Sequence, residues 1–357
     1  MKEATIFPGT KVKINDVDFP TLPSPDHLII KVIVAGSNPK DWAIAERVPG
    51  INQGDDIAGI VHSVGDNVTN FRPGDRVASF HEMLTPHGCF AEYAVGLEAT
   101  TFHIPPNVSF EEASTIPLAG MTAALGMYQR LGLPLPWLPA QERLPLVVYG
   151  AAGAVGAFAV KLATLSNIHP IICVAGRGIE YVESLIDRSK GDTIVDYRQG
   201  NDEVVKSFQQ ALNGEKLCYA FDAVSDKGSY QNLMKVMDLS KGRISLVLAR
   251  KHYEGIPDSF AKFFTQVGRV HAESYPGIKG EKKLQGLLGD QDFGAVMYKF
   301  FERGLKAGWF KGHPYQVVPG GLDGVETGLQ DLKAGKASAF KFVFRIEETK
   351  GLSQSKL

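Results

Sequence analysis

The sequence predicts an α/β protein in two parts, a compact all-β unit followed by a doubly wound parallel sheet. Three observations carry this. The first ~115 residues are dense in glycine, proline and short β-rich runs. From Pro145 the texture changes to apolar runs separated by helical stretches. A glycine-rich turn, Tyr149 to Gly156, stands where the first of those runs meets the first of those helices.

The bulk properties agree. A chain of 357 residues has room for about two domains. With 44% hydrophobic and 22% charged residues it has the composition of a globular protein and not of a disordered one. Lys plus Arg number 38 against 39 Asp plus Glu, a net charge of −1, so nothing suggests a surface built to grip nucleic acid. The three cysteines, Cys89, Cys173 and Cys218, are too few for a disulfide framework or a four-cysteine zinc lobe. The start, MKEATIFPGT, has no basic segment followed by an apolar one, so no secretory signal is expected. The longest apolar stretch, Leu144 to Val160, is broken by Pro145 and by glycines and is short for a membrane span; a buried strand turning into a helix explains it better. The last residues, Ser355-Lys356-Leu357, form the peroxisomal address at the end of a polar tail, so a peroxisomal location is expected, with the cytoplasm as the alternative.

Taken in order, HLIIKVIVA (His27 to Ala35) and IAGIVHSVG (Ile57 to Gly65) read as strands of the β unit. After Pro145 come five strand-helix alternations, beginning with PLVVYG, HPIICVAG, DTIVDYR, CYAFDAVS and GRISLVLA. A further β-like run, GRVHAESYP, lies near Arg269. The C-terminal part reads as a helix over Phe293 to Ala307, a strand near Tyr315 to Val318, a helix over Gly321 to Lys333 and a strand KFVFRI. This last segment is expected to return to the β unit, which divides the chain into residues 1–120, 121–275 and 276–357.

The run YGAAGAVG follows a buried-strand pattern and precedes a small-residue helix, the setting that a dinucleotide-binding turn requires. Gly150 permits the tight exit from the strand, Gly153 removes a side chain where backbone meets pyrophosphate, and Gly156 lets helix and strand pack closely. Ala151 stands at the first position of the strict motif, so the string alone is weak; the five alternations around it give it weight. Together with Ala152, Ala154 and Val155, these glycines are the expected phosphate cradle, backed by the helix N-terminus. An NAD site usually ends its second strand in a carboxylate. Here the tip is Ala175-Gly176-Arg177-Gly178, and Arg177 is a planar cation suited to a 2′-phosphate. Tyr197, closing the third strand, could stack beside the adenine-ribose edge. The expected cofactor is NADPH.

Asn38-Pro39-Lys40-Asp41 and Gly54-Asp55-Asp56 are the two segments where zinc ligands would stand, and neither offers a Cys or His. His81, Glu82, His87 and Cys89 lack a standard zinc spacing, so no metal site is expected. No GxSxG elbow supports a hydrolase.

NPKDW (Asn38 to Trp42), GDDIAG (Gly54 to Gly59), FRPGDRV (Phe71 to Val77), GCFAEY (Gly88 to Tyr93), IPLAGMTAA (Ile116 to Ala124) and YGAAGAVG occur in this order. Together they resemble the zinc-independent branch of the medium-chain dehydrogenase/reductase superfamily, the quinone oxidoreductase-like proteins. The run GGLDGVETGLQDLKAGKASAFKFVFRI is similar to that of the fungal trans-acting enoyl reductases that serve polyketide synthases. The resemblance covers nearly the whole chain. It implies a GroES-like β domain, a Rossmann domain inserted in it and a C-terminal return. It also implies that Asn38, Pro39, Lys40, Asp41 and Thr122 border the nicotinamide, that Ala175 to Gly178 and Tyr197 border the 2′-phosphate, that Val247 and Leu248 line the nicotinamide pocket, and that Lys341 and Phe342 close over the cofactor. Asn38 and Asp55 stand where zinc-dependent relatives carry Cys and His ligands. Many relatives have Ser and Lys at the second strand tip, where this chain has Ala175.

Without a metal, conjugate reduction is favoured over alcohol chemistry, because hydride addition to the β-carbon of an enoyl thioester leaves a delocalised enolate that a few donors can hold. Lys40 and Thr122 are the candidates for polarising the carbonyl or ordering the ribose. The bland readings are that Lys40 only binds cofactor and Thr122 only fixes the turn before its helix. The expected activity is reduction of a free or carrier-bound enoyl thioester. Reduction of quinones, enals or aldehydes is the alternative, and a non-catalytic NADPH-binding protein the third reading. Lys251 to Lys283, rich in glycine, lysine and aromatics, is expected to disrupt the sheet edge through which related proteins dimerise, pointing to a monomer.

Overall fold

The computed structural model describes residues 1–248, 251–271 and 289–352. The chain forms two compact units: the first holds Met1–Leu118 and the chain from Gln291 onward, and the second opens at Ala119 and runs to Arg269.

In the first unit, β1 (Lys2–Phe7) and β2 (Lys11–Asp16) form an antiparallel pair. β3 (His27–Gly36) is the central strand, followed by α1 (Pro39–Ala45), β4 (Asp56–Val64), β5 (Arg76–Phe80), β6 (Tyr93–Leu97) and β7 (Thr101–His103). β3 pairs with β4 along one edge and with β6 along part of the other. Short α2 (Phe110–Ala113) precedes α3 (Pro117–Ala124), which continues into a π-helical turn over Leu125–Arg130. Its residues, Arg130 included, are all buried.

The second unit alternates β8 (Leu146–Tyr149), α4 (Ala154–Leu165), β9 (Ile171–Ala175), α5 (Ile179–Glu183), β10 (Thr193–Asp196), α6 (Asn201–Leu212), β11 (Tyr219–Asp222), α7 (Ser229–Met234), β12 (Arg243–Leu246) and β13 (Ala261–Phe264). The strands are parallel, in the order β10-β9-β8-β11-β12-β13, the doubly wound Rossmann arrangement. Helices cover both faces of such a sheet, so its strands are apolar throughout. Val147, Val148, Ile172, Cys173, Ala220 and Ile244 are accordingly fully buried.

The chain returns to the first unit through α8 (Asp290–Ala307), β14 (Tyr315–Val317), α9 (Val325–Lys333) and β15 (Lys341–Arg345). β15 pairs antiparallel with the Gly36 end of β3, so the last strand joins the sheet that β3 begins. Phe344 of β15 packs in the same core as Leu28, Ile30 and Phe90.

One expectation is corrected. The described part of the run near Arg269 is helical: Val267–Val270 form a short 3-10 helix, and the run from residue 272 lies outside the described residues. The sixth strand is β13, AKFF, whose Phe263 and Phe264 are buried. No helix among the described residues is long and apolar enough to cross a membrane. The Ser355-Lys356-Leu357 tail and residues 272–283 of the Lys251 to Lys283 stretch lie outside the described residues.

Candidate active site

In the second unit, β8 ends at Tyr149 and the chain leaves it at Gly150, whose φ of +81° an L side chain rarely adopts. A Cβ on Gly156 would lie 2.2 Å from the Gly150 carbonyl oxygen, so helix and strand approach to a distance only glycine allows. Gly153 differs. It is the N-cap of α4, and a Cβ there would meet only that same oxygen, at 3.5 Å. Its bare face is therefore open space at the end of a helix. The first amide to bond inside α4 is that of Ala157, to the Gly153 carbonyl, so the amides of Ala154, Val155 and Gly156 point out of the helix end. Ala152 stands in the turn between. Outward amides beside an open backbone face are able to receive a pyrophosphate, and the residues present fit a dinucleotide.

β9 ends at Ala175. Gly176 is buried, and a Cβ on it would lie 2.6 Å from the Tyr197 ring, so the ring rests directly on bare backbone. Tyr197 is half exposed in the turn after β10. Arg177, next to Gly176 in sequence, is exposed, and Gly178 caps α5. The neighbouring Arg198 is paired with Asp196. Glu180 lies within α5, so no carboxylate closes the second strand.

At the tip of β11, Asp222 accepts hydrogen bonds from the amides of Val224 (3.0 Å) and Ser225 (2.7 Å) and from the Ser229 hydroxyl (2.6 Å). Burial nonetheless pushes its carboxyl up to about 6. Ser225 adopts φ of +55°. Its hydroxyl donates to the Asp222 carbonyl and accepts the Val247 amide at 2.9 Å, fixing the residue after β12. Leu248 follows, about half exposed. Thr122 is buried on α3.

In the first unit, the NPKD segment starts α1. Asn38 and Asp41 form a capping box, with the Asn38 amide donating to Asp41 Oδ2 at 2.7 Å, and Pro39 takes the first helical position. The Lys40 ammonium faces Asp55 Oδ2 at 2.5 Å and Asp41 Oδ1 at 3.0 Å and donates to the Gln53 carbonyl. Among the described residues those two carboxylate oxygens have no well-directed hydrogen bond, and the ion pair is what engages them. Burial works against the Lys40 charge, but Asp55 and Asp41 overcome it and raise Lys40 above the ordinary lysine range. Burial pushes Asp41 up to about 7 and Asp55 to about 6, against the pull of Lys40. Beside them, Asp56 binds Asn38 and Lys341, and the Ser37 hydroxyl donates to the Phe342 carbonyl at 2.9 Å.

The structure thus brings together Asn38, Pro39, Lys40, Asp41, Lys341 and Phe342 in the first unit. In the second it aligns the glycine turn, Ala175 to Gly178, Tyr197, Val247 and Leu248 along the carboxyl ends of the strands. Sequence reading considered Asp55 and Asp56 only as missing metal ligands and passed over Asp222 and Ser225. The available signal was two successive aspartates opening an apolar strand, a cost that only buried partners offset. Among the described residues, no group of three or more His, Cys, Asp or Glu side chains is arranged to hold a metal ion. His81 is engaged instead with the carbonyls of Val95 (2.8 Å) and Thr85 (3.3 Å).

The alcohol dehydrogenase GroES-like domain matches residues 24–106. Trans-enoyl reductase fsr4 of Gibberella fujikuroi is 43% identical over 325 residues, covering 90% of this chain and 91% of that one. Trans-enoyl reductase ACTTS2 of Alternaria alternata is 31% identical, covering 94% and 96%. Among solved structures, CurK enoyl reductase has a TM-score of 0.74 at 18% identity, covering 96% of this chain and 98% of that one, and an NAD-dependent alcohol dehydrogenase 0.75 at 21%, covering 97% and 99%. At those identities the structures show the shared fold. With 43% identity across nine-tenths of both sequences, and the glycine turn in place, the chain belongs to the trans-enoyl reductase family, nicotinamide-dependent oxidoreductases of the medium-chain dehydrogenase/reductase superfamily.

Proposed function

We propose that this protein is an NADPH-dependent, metal-independent enoyl reductase that delivers hydride to the β-carbon of an α,β-unsaturated thioester, in fungal secondary metabolism and in concert with a polyketide synthase. The observation that carries the reading is the 43% identity to a trans-enoyl reductase over nine-tenths of the chain.

When bound, the nicotinamide supplies the hydride. The chain's own residues do the rest. The α4 amides and the open face of Gly153 receive the pyrophosphate. Arg177 supplies a cation for the 2′-phosphate, and the Tyr197 ring offers a flat surface for the adenine edge. Val247, held by Ser225, lines the nicotinamide pocket. The donor set supports metal independence: both ends of the Asn38 amide are hydrogen-bonded, and the Asp55 carboxylate is paired with the Lys40 ammonium. Lys40, with three acceptors around it, serves the site chiefly by fixing the NPKD turn. On conjugate addition the electron pair moves to the thioester oxygen, giving a delocalised enolate that hydrogen-bond donors hold, and a proton then arrives at the α-carbon.

The test is oxidation of NADPH with a short enoyl thioester, run beside a quinone and against NADH. Turnover of the thioester with a preference for NADPH is expected. Turnover of the quinone alone would replace this reading with that of a stand-alone quinone reductase. The Ser355-Lys356-Leu357 tail supports a peroxisomal location, tested by imaging a fluorescent fusion with and without those three residues.

A further inference from the structure

We propose that Asp56 is a positioning residue for the segments of the first unit that the family resemblance assigns to nicotinamide binding. Its one buried carboxylate locks the NPKD turn, the last strand and the first turn of α3 together, so that Asn38 and Lys341 act through the backbone that carries them and not through their own polar groups. The proposal rests on the reading that these segments face NADPH.

Asp56 opens β4 and is fully buried. Its Oδ1 accepts the Leu118 amide at 2.7 Å. Its Oδ2 accepts the Asn38 side-chain amide at 2.7 Å and the Lys341 ammonium. The Lys341 ammonium also donates to Asn38 Oδ1 at 3.1 Å, so the Asn38 amide is engaged at both its oxygen and its nitrogen. Lys341 is 5% exposed, which leaves its charge turned inward.

The three partners come from three separate places in the sequence. Asn38 caps α1, Leu118 sits in the first turn of α3, one turn before Thr122, and Lys341 opens β15. An anion at the first turn of a helix is favoured by the exposed amides and by the helix dipole. The packing leaves no slack. Gly36 pairs with Asp56 across the sheet, and a Cβ on it would lie 2.5 Å from the Ser114 carbonyl oxygen, 3.0 Å from Asp56 Cβ and 3.2 Å from Lys341 Cε. A buried ion pair is weak evidence of stabilisation, because the charges must leave water. What this one supplies is a fixed geometry among three segments, through charge-assisted hydrogen bonds that are short and directional.

Asp56→Asn alone would leave the Lys341 ammonium buried without a counter-charge, so the decisive variant is the full chain carrying both Asp56→Asn and Lys341→Met. Two readouts are taken at a temperature where circular dichroism shows it folded: amide hydrogen exchange of the cofactor-free protein, and NADPH binding followed by tryptophan fluorescence. Peptides covering residues 37–45, 116–124 and 340–346 should all exchange faster than in wild type, by about tenfold, and the NADPH Kd should rise about tenfold. Exchange unchanged in any one of the three segments would overturn the proposal. So would a Kd within about twofold of wild type. If wild-type protein fails to bind NADPH, the cofactor reading fails instead, and the exchange readout still judges the lock.

Discussion

Gly153→Ala and Gly156→Ala differ by three positions in one turn and should fail in opposite ways. At Gly156 the new methyl would sit 2.2 Å from the Gly150 carbonyl oxygen, 2.7 Å from its carbon and 3.0 Å from Ala151 Cα, all of them backbone atoms. Alanine gains about 1 kcal/mol of helix propensity over glycine. Overpacking against backbone costs ~1–3 kcal/mol, so the balance is a loss of up to about 2 kcal/mol. For a unit of this size each kcal/mol lowers Tm by about 2–4 °C. At Gly153 the nearest atom is 3.5 Å away and the backbone, at φ −76° and ψ 159°, suits alanine. Losing glycine at the N-cap costs about 0.5 kcal/mol, which the reduced freedom of the unfolded chain roughly offsets. The methyl does, however, fill the face over which phosphate must approach. Losing one hydrogen bond to a charged group costs ~1.5–3 kcal/mol, or about a 10- to 150-fold weaker NADPH Kd. Thermal melts of the cofactor-free variants and fluorescence titration with NADPH measure both effects. A Gly153→Ala protein that binds within about twofold of wild type, or melts as low as Gly156→Ala, would refute the assignment of the cradle.

Three further outcomes are expected. Lys40→Met leaves Asp41 and Asp55 buried without their cation and should cost about 3–5 kcal/mol in urea unfolding; a loss under about 1 kcal/mol would mean that the ion cluster is not needed for folding. Burial raises Asp41 to about 7 and Asp55 to about 6, from 3.8 for a free aspartate, so across roughly pH 4 to 7 the folded chain holds protons that the unfolded chain releases. Their contribution to stability therefore falls as pH rises through that window, and Asp55→Asn should flatten the slope of the urea midpoint against pH; an unchanged slope contradicts the assignment. Arg177→Ala should lower the preference for NADPH over NADH by about tenfold or more in kcat/KM, with little change in NADH turnover.

The strands of the second unit were legible because a sheet covered on both faces writes itself as unbroken apolar runs, as at Leu146–Tyr149 and Ile171–Ala175. β13 was missed for the converse reason. It is the edge strand, its AKFF carries a lysine, and the more β-branched text beside Arg269 drew the assignment away from it. The glycine turn could be read because Gly150 and Gly156 answer local demands of backbone geometry within one short string. The ion cluster could not, since Asp56 and Lys341 meet across 285 positions and nothing local in either segment names the other. Lys40 stands out in the sequence only as the cation of the NPKD segment. That two aspartates and a carbonyl surround its ammonium is a property of the packed fold alone.

The Ser225 hydroxyl is a mechanical coupling, because one oxygen spans the tips of β11 and β12. The backbone at Val247 is therefore held in place by a separate turn. Edits within Val224 to Gly228 would shift Val247 while leaving that residue itself unaltered.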